Sequence, residues 1–277
     1  MTRNHRRIIT LPYMIWVGVF VVLPILLVII YSFTVEIDGL TTFSMSNYAR
    51  VLDPVYLIVL QRSVTLALYC TVVCILLGYP VAYILASKEY MHKGFLLFLF
   101  LVPMWMNLLL RTYSWISILE RNGFINTLFE LIGLPRMDML YNNSAVLLGM
   151  VYNFLPFLIL PVYSVLRKMD QSLIEAAQDL GANPRQVFLK LTLPLSIPGV
   201  VSGITMVFMP ACSTFIIADL LGGTQNMLIG NLIEQQFLKI NDWHFGSAVS
   251  VILMALILVS FGIFSMVDRT EGEGILF

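Results

Sequence analysis

Apolar residues are concentrated in six long segments of the chain, and polar stretches separate them. The segments cover approximately residues 8–33, 64–86, 95–119, 144–166, 198–221 and 246–267. A helix needs about 20 mostly apolar residues to cross the hydrocarbon core of a bilayer. Each segment is long enough, so the pattern predicts six transmembrane helices within a single domain that covers residues 1–277.

The composition supports a membrane protein. The 277 residues are 59% hydrophobic and 12% charged, whereas soluble globular proteins carry about 25% charged residues. So few charges cannot cover a soluble surface, which excludes a cytosolic enzyme. The predicted fold class is therefore an all-α integral membrane protein. Lys plus Arg and Asp plus Glu each total 16, so no basic excess indicates a nucleic-acid partner.

The basic residues predict the orientation, because cytoplasmic loops are richer in Lys and Arg than the opposite loops. If the N-terminus is cytoplasmic, the cytoplasmic segments hold Arg3, Arg6, Arg7, Lys88, Lys93, Arg167, Lys168, Arg185, Lys190 and Arg269. The opposite segments hold Arg50, Arg62, Arg121, Arg136 and Lys239. Both termini are therefore predicted to be cytoplasmic. The first segment is too long for a signal peptide and is predicted to be a retained anchor.

The loop at 167–197 carries the clearest local signals. Ser172 lies three residues before Glu175, as in a capping box, and Asp170 is the alternative N-cap of the same predicted helix. Apolar residues then recur on one helical face, namely Leu173, Ile174, Ala177 and Leu180. Gly181 is predicted to end this helix, since glycine enters the left-handed conformation without steric cost.

A second short helix is predicted after Gly181. Asn183 and Pro184 are residue types preferred at the N-cap and at the first helical position. Pro194 and Pro198 are predicted to break this helix before the fifth span. Two amphipathic helices joined at a glycine are suited to insert into a groove of another protein.

The alternative for this loop is a helix that lies on the lipid surface. Such helices usually have a basic polar face. Here Glu175 and Asp179 are mixed with Lys168 and Arg185. The mixed charge favours a protein partner.

The same loop carries a sequence motif. Glu175-Ala176-Ala177 is followed by three residues and Gly181, and then by nine residues and Leu191-Thr192-Leu193-Pro194. This run resembles the EAA motif of the membrane subunits of bacterial ATP-binding-cassette (ABC) importers, EAA-x3-G-x9-I-x-L-P, with leucine replacing isoleucine at 191. The resemblance implies the six-helix fold of type I importer permeases (the MetI-like fold) and a coupling helix that docks on a cytoplasmic ATPase. It assigns ATPase coupling to Glu175, Ala176, Ala177, Asp179, Gly181, Leu193 and Pro194.

Further segments resemble the B-type permeases of spermidine/putrescine importers. They are LLGYPVAY at 76–83, RTY at 111–113, DLGA at 179–182 and DLLGGTQNMLIGNLIEQQFL at 219–238. This resemblance covers nearly the whole chain and implies a multi-pass subunit of the bacterial inner membrane that forms half of a polyamine path. Permeases for other small organic cations or solutes share parts of the pattern and are the alternative.

The resemblance also implies partners. They are a paralogous C-type permease, a dimer of a cytoplasmic ABC ATPase and an extracytoplasmic polyamine-binding protein, with membrane lipid around the permeases. ATP and Mg²⁺ are expected on the ATPase, and no cofactor is expected on this chain.

Two ionisable residues lie within the predicted spans, where charges are costly and tend to be functional. Arg111 lies in the third span and Asp219 in the fifth, and both are predicted near the outer end. One interpretation is a structural ion pair between them. In the other, Asp219 attracts a polyamine at the outer mouth. Arg111 is expected to be structural, because a free cation in the path would repel the substrate.

Aromatic faces, amides and carboxylates suit a flexible chain of ammonium groups. Residues of these types within the spans are candidates for the translocation path, with helix packing as the alternative for each. They are Trp105, Asn107, Tyr113, Tyr152, Phe215 and Asp219.

The chain lacks the G-x-x-x-x-G-K-[ST] motif that cradles ATP phosphates and the H-E-x-x-H motif of zinc proteases. We therefore predict a non-catalytic subunit without a metal site. An integral-membrane enzyme acting on a lipid-like substrate would need a cluster of catalytic residues at one membrane face, and none is evident. A secondary transporter driven by an ion gradient would need more spans and an inverted repeat. Either rival would work without an ATPase partner.

Overall fold

The computed structural model describes residues 3–37, 40–87, 94–223 and 226–274, and within these ranges it describes side chains from residue 10 to residue 266 except at Gly94. Lys88 and Lys93, which contribute to the orientation prediction, lie outside the described residues. The side chains of Arg3, Arg6, Arg7 and Arg269 also lie outside the described part. The cytoplasmic location of both termini stays a prediction.

The chain divides into two compact units. The first comprises Met1–Leu60 and Leu232–Leu256, and the second comprises Gln61–Asn231 and Ile257–Phe277. The first contains α1 (Arg3–Val17), a π-helical turn (Gly18–Val22), α2 (Leu23–Ser32), β1 (Thr34–Ile37), β2 (Leu40–Phe43), α3 (Ser46–Val51), the start of α4 (Pro54–Ala86), a π-helical turn (Gln235–Ile240) and the first part of α14 (Trp243–Gly274).

The second unit contains the rest of α4 and the end of α14. Between them it holds α5 (Gly94–Leu101), a 3₁₀ turn (Val102–Trp105), α6 (Leu108–Leu119), α7 (Phe124–Leu131), α8 (Asn143–Lys168), α9 (Gln171–Asp179), α10 (Pro184–Val187), a π-helical turn (Phe188–Thr192), α11 (Leu193–Ser213) and α12 (Ile216–Gly222). α13 (Ile229–Glu234) crosses the boundary between the units.

In the first unit, the segment between the first two predicted spans contains regular structure. β1 and β2 form an antiparallel hairpin in which Thr34 lies opposite Phe43. The Asn47 amide donates a 2.9 Å hydrogen bond to the carbonyl of Thr34, and the Tyr48 hydroxyl donates one of 2.9 Å to Ser32 Oγ. α3 therefore holds the hairpin against the end of α2. α4 begins at Pro54, before the predicted start of the second span at residue 64, because proline is favoured at the first helical position.

In the second unit, α8 is the central helix. α11 packs along it, with Gly199 and Gly203 at the contact. A Cβ atom at Gly199 would lie 2.9 Å from Val165 Cγ2 and 3.0 Å from the Pro161 carbonyl oxygen. The GxxxG sequence at 199–203 therefore permits close helix packing.

Five helical stretches in the described part of the chain are long and apolar enough to cross a membrane. They are Thr10–Ser32, Pro54–Ala86, Asn143–Lys168, Pro184–Ser213 and Trp243–Met266. A sixth candidate consists of two helices, Phe95–Trp105 and Leu108–Leu131, with a bend of 94° between them. The count of six predicted spans holds only if this bent pair is one span.

The continuous helix predicted over 95–119 is therefore wrong. Pro103 lies in the 3₁₀ turn, and Met106 and Asn107 have extended backbones with ψ of 147° and 133°. Asn107 then caps α6, because its Oδ1 accepts a 2.8 Å hydrogen bond from the Leu109 N–H. Arg111 thus lies in the first turn of a new helix, and its predicted depth along an unbroken third span no longer holds.

The prediction for the fifth span is wrong at both ends. Its helix extends back through the π-helical turn Phe188–Thr192, so Pro194 does not break it. In a regular helix the Pro194 ring would clash with the carbonyl of Lys190, and the wider turn that contains Lys190 accommodates it. At the other end, α11 stops at Ser213, Thr214 is extended with ψ of 138°, and α12 follows as a separate helix.

Candidate ATPase-coupling loop and translocation path

α9 begins at the Asp170 cap. Asp170 Oδ1 accepts a 2.9 Å hydrogen bond from the Ser172 N–H, so the capping box between Ser172 and Glu175 is wrong and the alternative cap is correct. This bond, together with one from the Ser172 hydroxyl, holds the pKa of Asp170 below its usual range. The carboxylate is therefore charged at neutral pH and lies at the positive end of the helix dipole.

α9 ends in a left-handed turn at Gly181, as predicted, and the φ of Gly181 is 83°. The Ala182 N–H donates to the Ala177 carbonyl at 3.0 Å, and the Gly181 N–H donates to the Gln178 carbonyl at 2.9 Å. This pair of bonds forms a Schellman motif, which satisfies the last carbonyls of the helix. A Cβ atom at Gly181 would meet no atom within 4 Å, so glycine is required here by backbone conformation and not by space.

α10 restarts the helix through a capping box. Asn183 Oδ1 accepts from the Gln186 N–H at 2.9 Å, and Gln186 Oε1 accepts from the Asn183 N–H at 2.9 Å. The prediction of a helix restart at Asn183 and Pro184 is confirmed. Two short helices are thus joined by four residues whose backbone is fixed by hydrogen bonds.

The surface of α9 is open. No residue of α9 is buried, and the apolar side chains of Leu173 and Leu180 are 46% and 89% exposed. The predicted coupling residues Glu175, Ala176, Asp179 and Gly181 are exposed, and Ala177 is partly exposed. Leu193 and Pro194 lie apart from this group, in the first turn of α11. Leu180 is absent from the predicted coupling residues, although its position on the apolar face gave a signal for it.

The second half of the loop is anchored to the end of α4. Phe188 makes edge-to-face contacts with Tyr79 at 6.0 Å and with Tyr83 at 5.4 Å between ring centroids. The hydroxyls of Tyr79 and Ser196 lie 2.9 Å apart. Sequence analysis assigned no individual role to these four residues, because their contacts join distant parts of the chain.

A cavity of about 210 Å³ lies at the base of the loop. Gln171 and Ile174 of α9, Tyr83 and Ala86 of α4, and Leu166 of α8 contribute to its lining. Thr192 of the π-helical turn Phe188–Thr192 also lines it, so the cavity borders both halves of the loop.

The path candidates lie on helices that the structure brings together in part. α6 packs against α8 and α12, and the rings of Trp115 on α6 and Tyr152 on α8 make an edge-to-face contact at 5.3 Å. Tyr113 is 53% exposed on α6, and Phe215 is 39% exposed at the break between α11 and α12. Only the Trp115–Tyr152 contact joins aromatic rings of α6 and α8 within the described residues. Trp105 lies in the 3₁₀ turn before the bend, where it contacts Phe98.

Arg111 and Asp219 lie on the adjacent helices α6 and α12 but do not form an ion pair within the described residues. Asp219 is exposed, and Arg111 Nε is buried with no hydrogen-bond partner in the part of the chain that the structure describes. The structural ion pair between them is therefore not supported, and Asp219 is left accessible.

Asn107 uses its side-chain oxygen to cap α6, which is a structural role that the sequence analysis did not assign.

Comparisons with known proteins identify the family. The family described as "Binding-protein-dependent transport system inner membrane component" matches residues 1–271. The spermidine/putrescine transport system permease protein PotB of Salmonella typhimurium strain SL1344 is 40% identical over 266 residues, covering 93% of each chain. PotB of Escherichia coli K12 is 41% identical over 252 residues, covering 88% of this chain and 92% of that protein.

A solved structure has the same fold. It is a chain of a bacterial alginate ABC transporter, crystallised in complex with an alginate pentasaccharide-bound periplasmic protein. The TM-score is 0.76 at 16% identity, and the match covers 95% of this chain and 93% of that one. The protein therefore belongs to the family of inner-membrane components of binding-protein-dependent transport systems, the non-catalytic permease subunits of ABC importers.

Proposed function

We propose that this chain forms half of the path by which an ATP-driven importer brings spermidine or putrescine into the cytoplasm. The observation that carries the proposal is the similarity over nearly the full chain to two spermidine/putrescine permeases. The exposed aromatic residues Tyr113, Tyr152 and Phe215 and the accessible carboxylate of Asp219 are consistent with a cationic substrate.

The second part of the proposal concerns ATPase docking. α9 presents an exposed apolar side chain, Leu180, beside the fixed turn at Gly181. A helix with an open apolar face and a rigid end is suited to a groove on a partner protein. The EAA loop is therefore proposed to lie on the cytoplasmic side and to dock into a dimer of ABC ATPases, which bind ATP and Mg²⁺.

The assembly proposed around this chain contains a paralogous C-type permease as the other half of the path. An extracytoplasmic binding protein delivers the polyamine to the outer side. ATP-driven closure of the ATPases moves the EAA loops, and the path alternates between outward-open and inward-open states. No cofactor is proposed on this chain.

ATP hydrolysis by the reconstituted complex in nanodiscs tests the proposal. The complex contains this chain, its paralogous permease and the ATPase, and hydrolysis is measured with empty binding protein and with spermidine- or putrescine-loaded binding protein. We expect polyamine-loaded binding protein to stimulate hydrolysis. If only a binding protein loaded with another cation or solute stimulates hydrolysis, the chain is still an importer subunit, but polyamines are excluded as its substrate. An inability to assemble with any ABC ATPase would contradict the whole proposal.

A further inference from the structure

The second half of the EAA loop is held firmly to the second unit. The Phe188 ring contacts two tyrosine rings whose positions, 79 and 83, are one helical turn apart on α4, with interplanar angles of 78° and 82°. Aromatic edge-to-face contacts favour one relative orientation of the rings, beyond the area that they bury. Phe188 is therefore fixed in direction as well as in distance from α4.

A buried hydrogen bond strengthens this attachment. Ser196 Oγ donates a 2.9 Å bond to the Leu193 carbonyl, which uses its one proton. Ser196 must therefore accept from the Tyr79 hydroxyl across the 2.9 Å between them. Ser196 is 0% and Tyr79 is 8% exposed. Breaking this bond would leave a buried hydroxyl without a partner, so α4 and the start of α11 are held together.

The first half of the loop has no such buried attachment within the described residues. α9 has no buried residue, and the cavity of about 210 Å³ lies between its base and the end of α4. Ile174 of α9 and Ala86 of α4 both line this cavity. Within the described part of the chain, the aromatic contacts between the loop and α4 are those of Phe188.

We infer that Phe188 is a positioning residue that passes the movement of the EAA loop to α4, and that the Tyr79–Ser196 hydrogen bond fixes this joint. The joint consists of Phe188, Tyr79, Tyr83 and Ser196. The inference rests on the proposed docking of the loop on an ATPase. It adds α4 to the elements that respond to ATP, in addition to α11, which continues directly from the loop.

Four variants separate the parts of the joint. Phe188→Ala removes both aromatic contacts, and Phe188→Tyr keeps the ring. Tyr79→Phe removes only the hydroxyl. Leu189→Ala is the matched control, because Leu189 lies in the same π-helical turn and is 48% exposed.

The readout is the number of spermidine molecules taken up per ATP hydrolysed, measured on the full complex with its partner permease, ATPase and binding protein. We expect Phe188→Ala to keep the ATPase bound and hydrolysing but to lower uptake per ATP about tenfold, since two aromatic contacts are lost. Phe188→Tyr restores the ratio and Leu189→Ala leaves it unchanged. A merely structural role would lower the yield of complex and leave uptake per ATP at the wild-type value, which would overturn the inference.

If the Phe188→Ala variant does not fold, the Tyr79→Phe variant tests the inference instead. We expect it to lower uptake per ATP by about threefold, in line with the loss of one buried hydrogen bond. A wild-type ratio in a folded Tyr79→Phe complex would overturn the role of the joint.

A second readout does not depend on the substrate. Spin labels on Arg185→Cys of α10 and Tyr69→Cys of α4 report the distance between the loop and α4, with the three buried native cysteines replaced by alanine. We expect ATP to leave this distance unchanged in the otherwise wild-type chain and to shift it in Phe188→Ala. The same response of this distance to ATP in both proteins would contradict the proposed role of the joint. Absence of polyamine uptake in the wild-type complex would contradict only the proposed substrate.

Discussion

The Ala182 N–H donates a 3.0 Å hydrogen bond to the Ala177 carbonyl, and this bond closes the turn at the end of α9. The turn requires a left-handed residue between these two positions, and Gly181 supplies it with φ of 83°. The glycine of the EAA motif therefore sets the angle between α9 and α10. Four predictions follow from the loop and from the path.

Gly181→Ala is expected to weaken ATPase binding about tenfold, which corresponds to ~1.4 kcal/mol, because a left-handed alanine is strained. Gly181→Asn is expected to be milder, since asparagine tolerates this conformation. Co-purification of the ATPase with the detergent-solubilised permease pair measures the effect. Gly133→Ala is the control, because Gly133 has φ of 79° and equally open space. Equal loss of the ATPase in both alanine variants would show that the EAA loop has no special role.

Leu180→Ser is expected to reduce ATPase affinity about tenfold, because a leucine side chain contributes roughly 1.5–3 kcal/mol when it becomes fully buried in a partner. The thermal stability of the permease should not change, since Leu180 is 89% exposed. Surface plasmon resonance against the ATPase measures the affinity. Leu131→Ser, at a leucine that is 77% exposed on α7, should have no effect. Undiminished affinity of Leu180→Ser would remove Leu180 from the docking surface.

Asn107→Ala is expected to destabilise the start of α6 by about 1 kcal/mol, because the cap on the Leu109 N–H is lost. Asn107→Asp keeps a capping oxygen and should retain stability and uptake. Thermal unfolding in nanodiscs, followed by uptake per folded complex, separates capping from substrate contact. An Asn107→Asp variant with normal stability and no uptake would favour direct contact with the substrate.

Asp219→Asn is expected to lower spermidine uptake about three- to tenfold at low salt, and less at high salt, because exposed charges attract a cation in a screened manner. Stability should be unchanged, since Asp219 is exposed and makes no ion pair among the described residues. Asp138→Asn, at another exposed carboxylate, is the control. Uptake by Asp219→Asn that equals the wild type at every salt concentration would exclude Asp219 from the path.

The turn between α9 and α10 was predictable because its causes are local. Gly181, Asn183 and Pro184 act within a few residues of their positions, and the structure places them as predicted. The N-cap was less certain because Asp170 and Ser172 are both capping residue types, and only the hydrogen-bond geometry selects Asp170.

The breaks in the third and fifth spans were not predictable from hydropathy. Pro103 lies in a broken segment, but Pro80, Pro156 and Pro210 lie inside continuous helices, so proline alone does not mark a break. Asn107 was a usable signal, since asparagine is a favoured N-cap. The Phe188 joint could not be predicted from the sequence for a different reason. It depends on contacts between residues far apart in the chain.

The measurement that tests the central claim most directly is uptake of radiolabelled spermidine and putrescine into proteoliposomes that contain the complete complex. The control complex contains an ATPase that binds ATP but cannot hydrolyse it. We predict uptake that requires hydrolysable ATP and the binding protein and that each polyamine inhibits in competition with the other. ATP hydrolysis without uptake of either polyamine, or uptake that continues without ATP, would contradict the account.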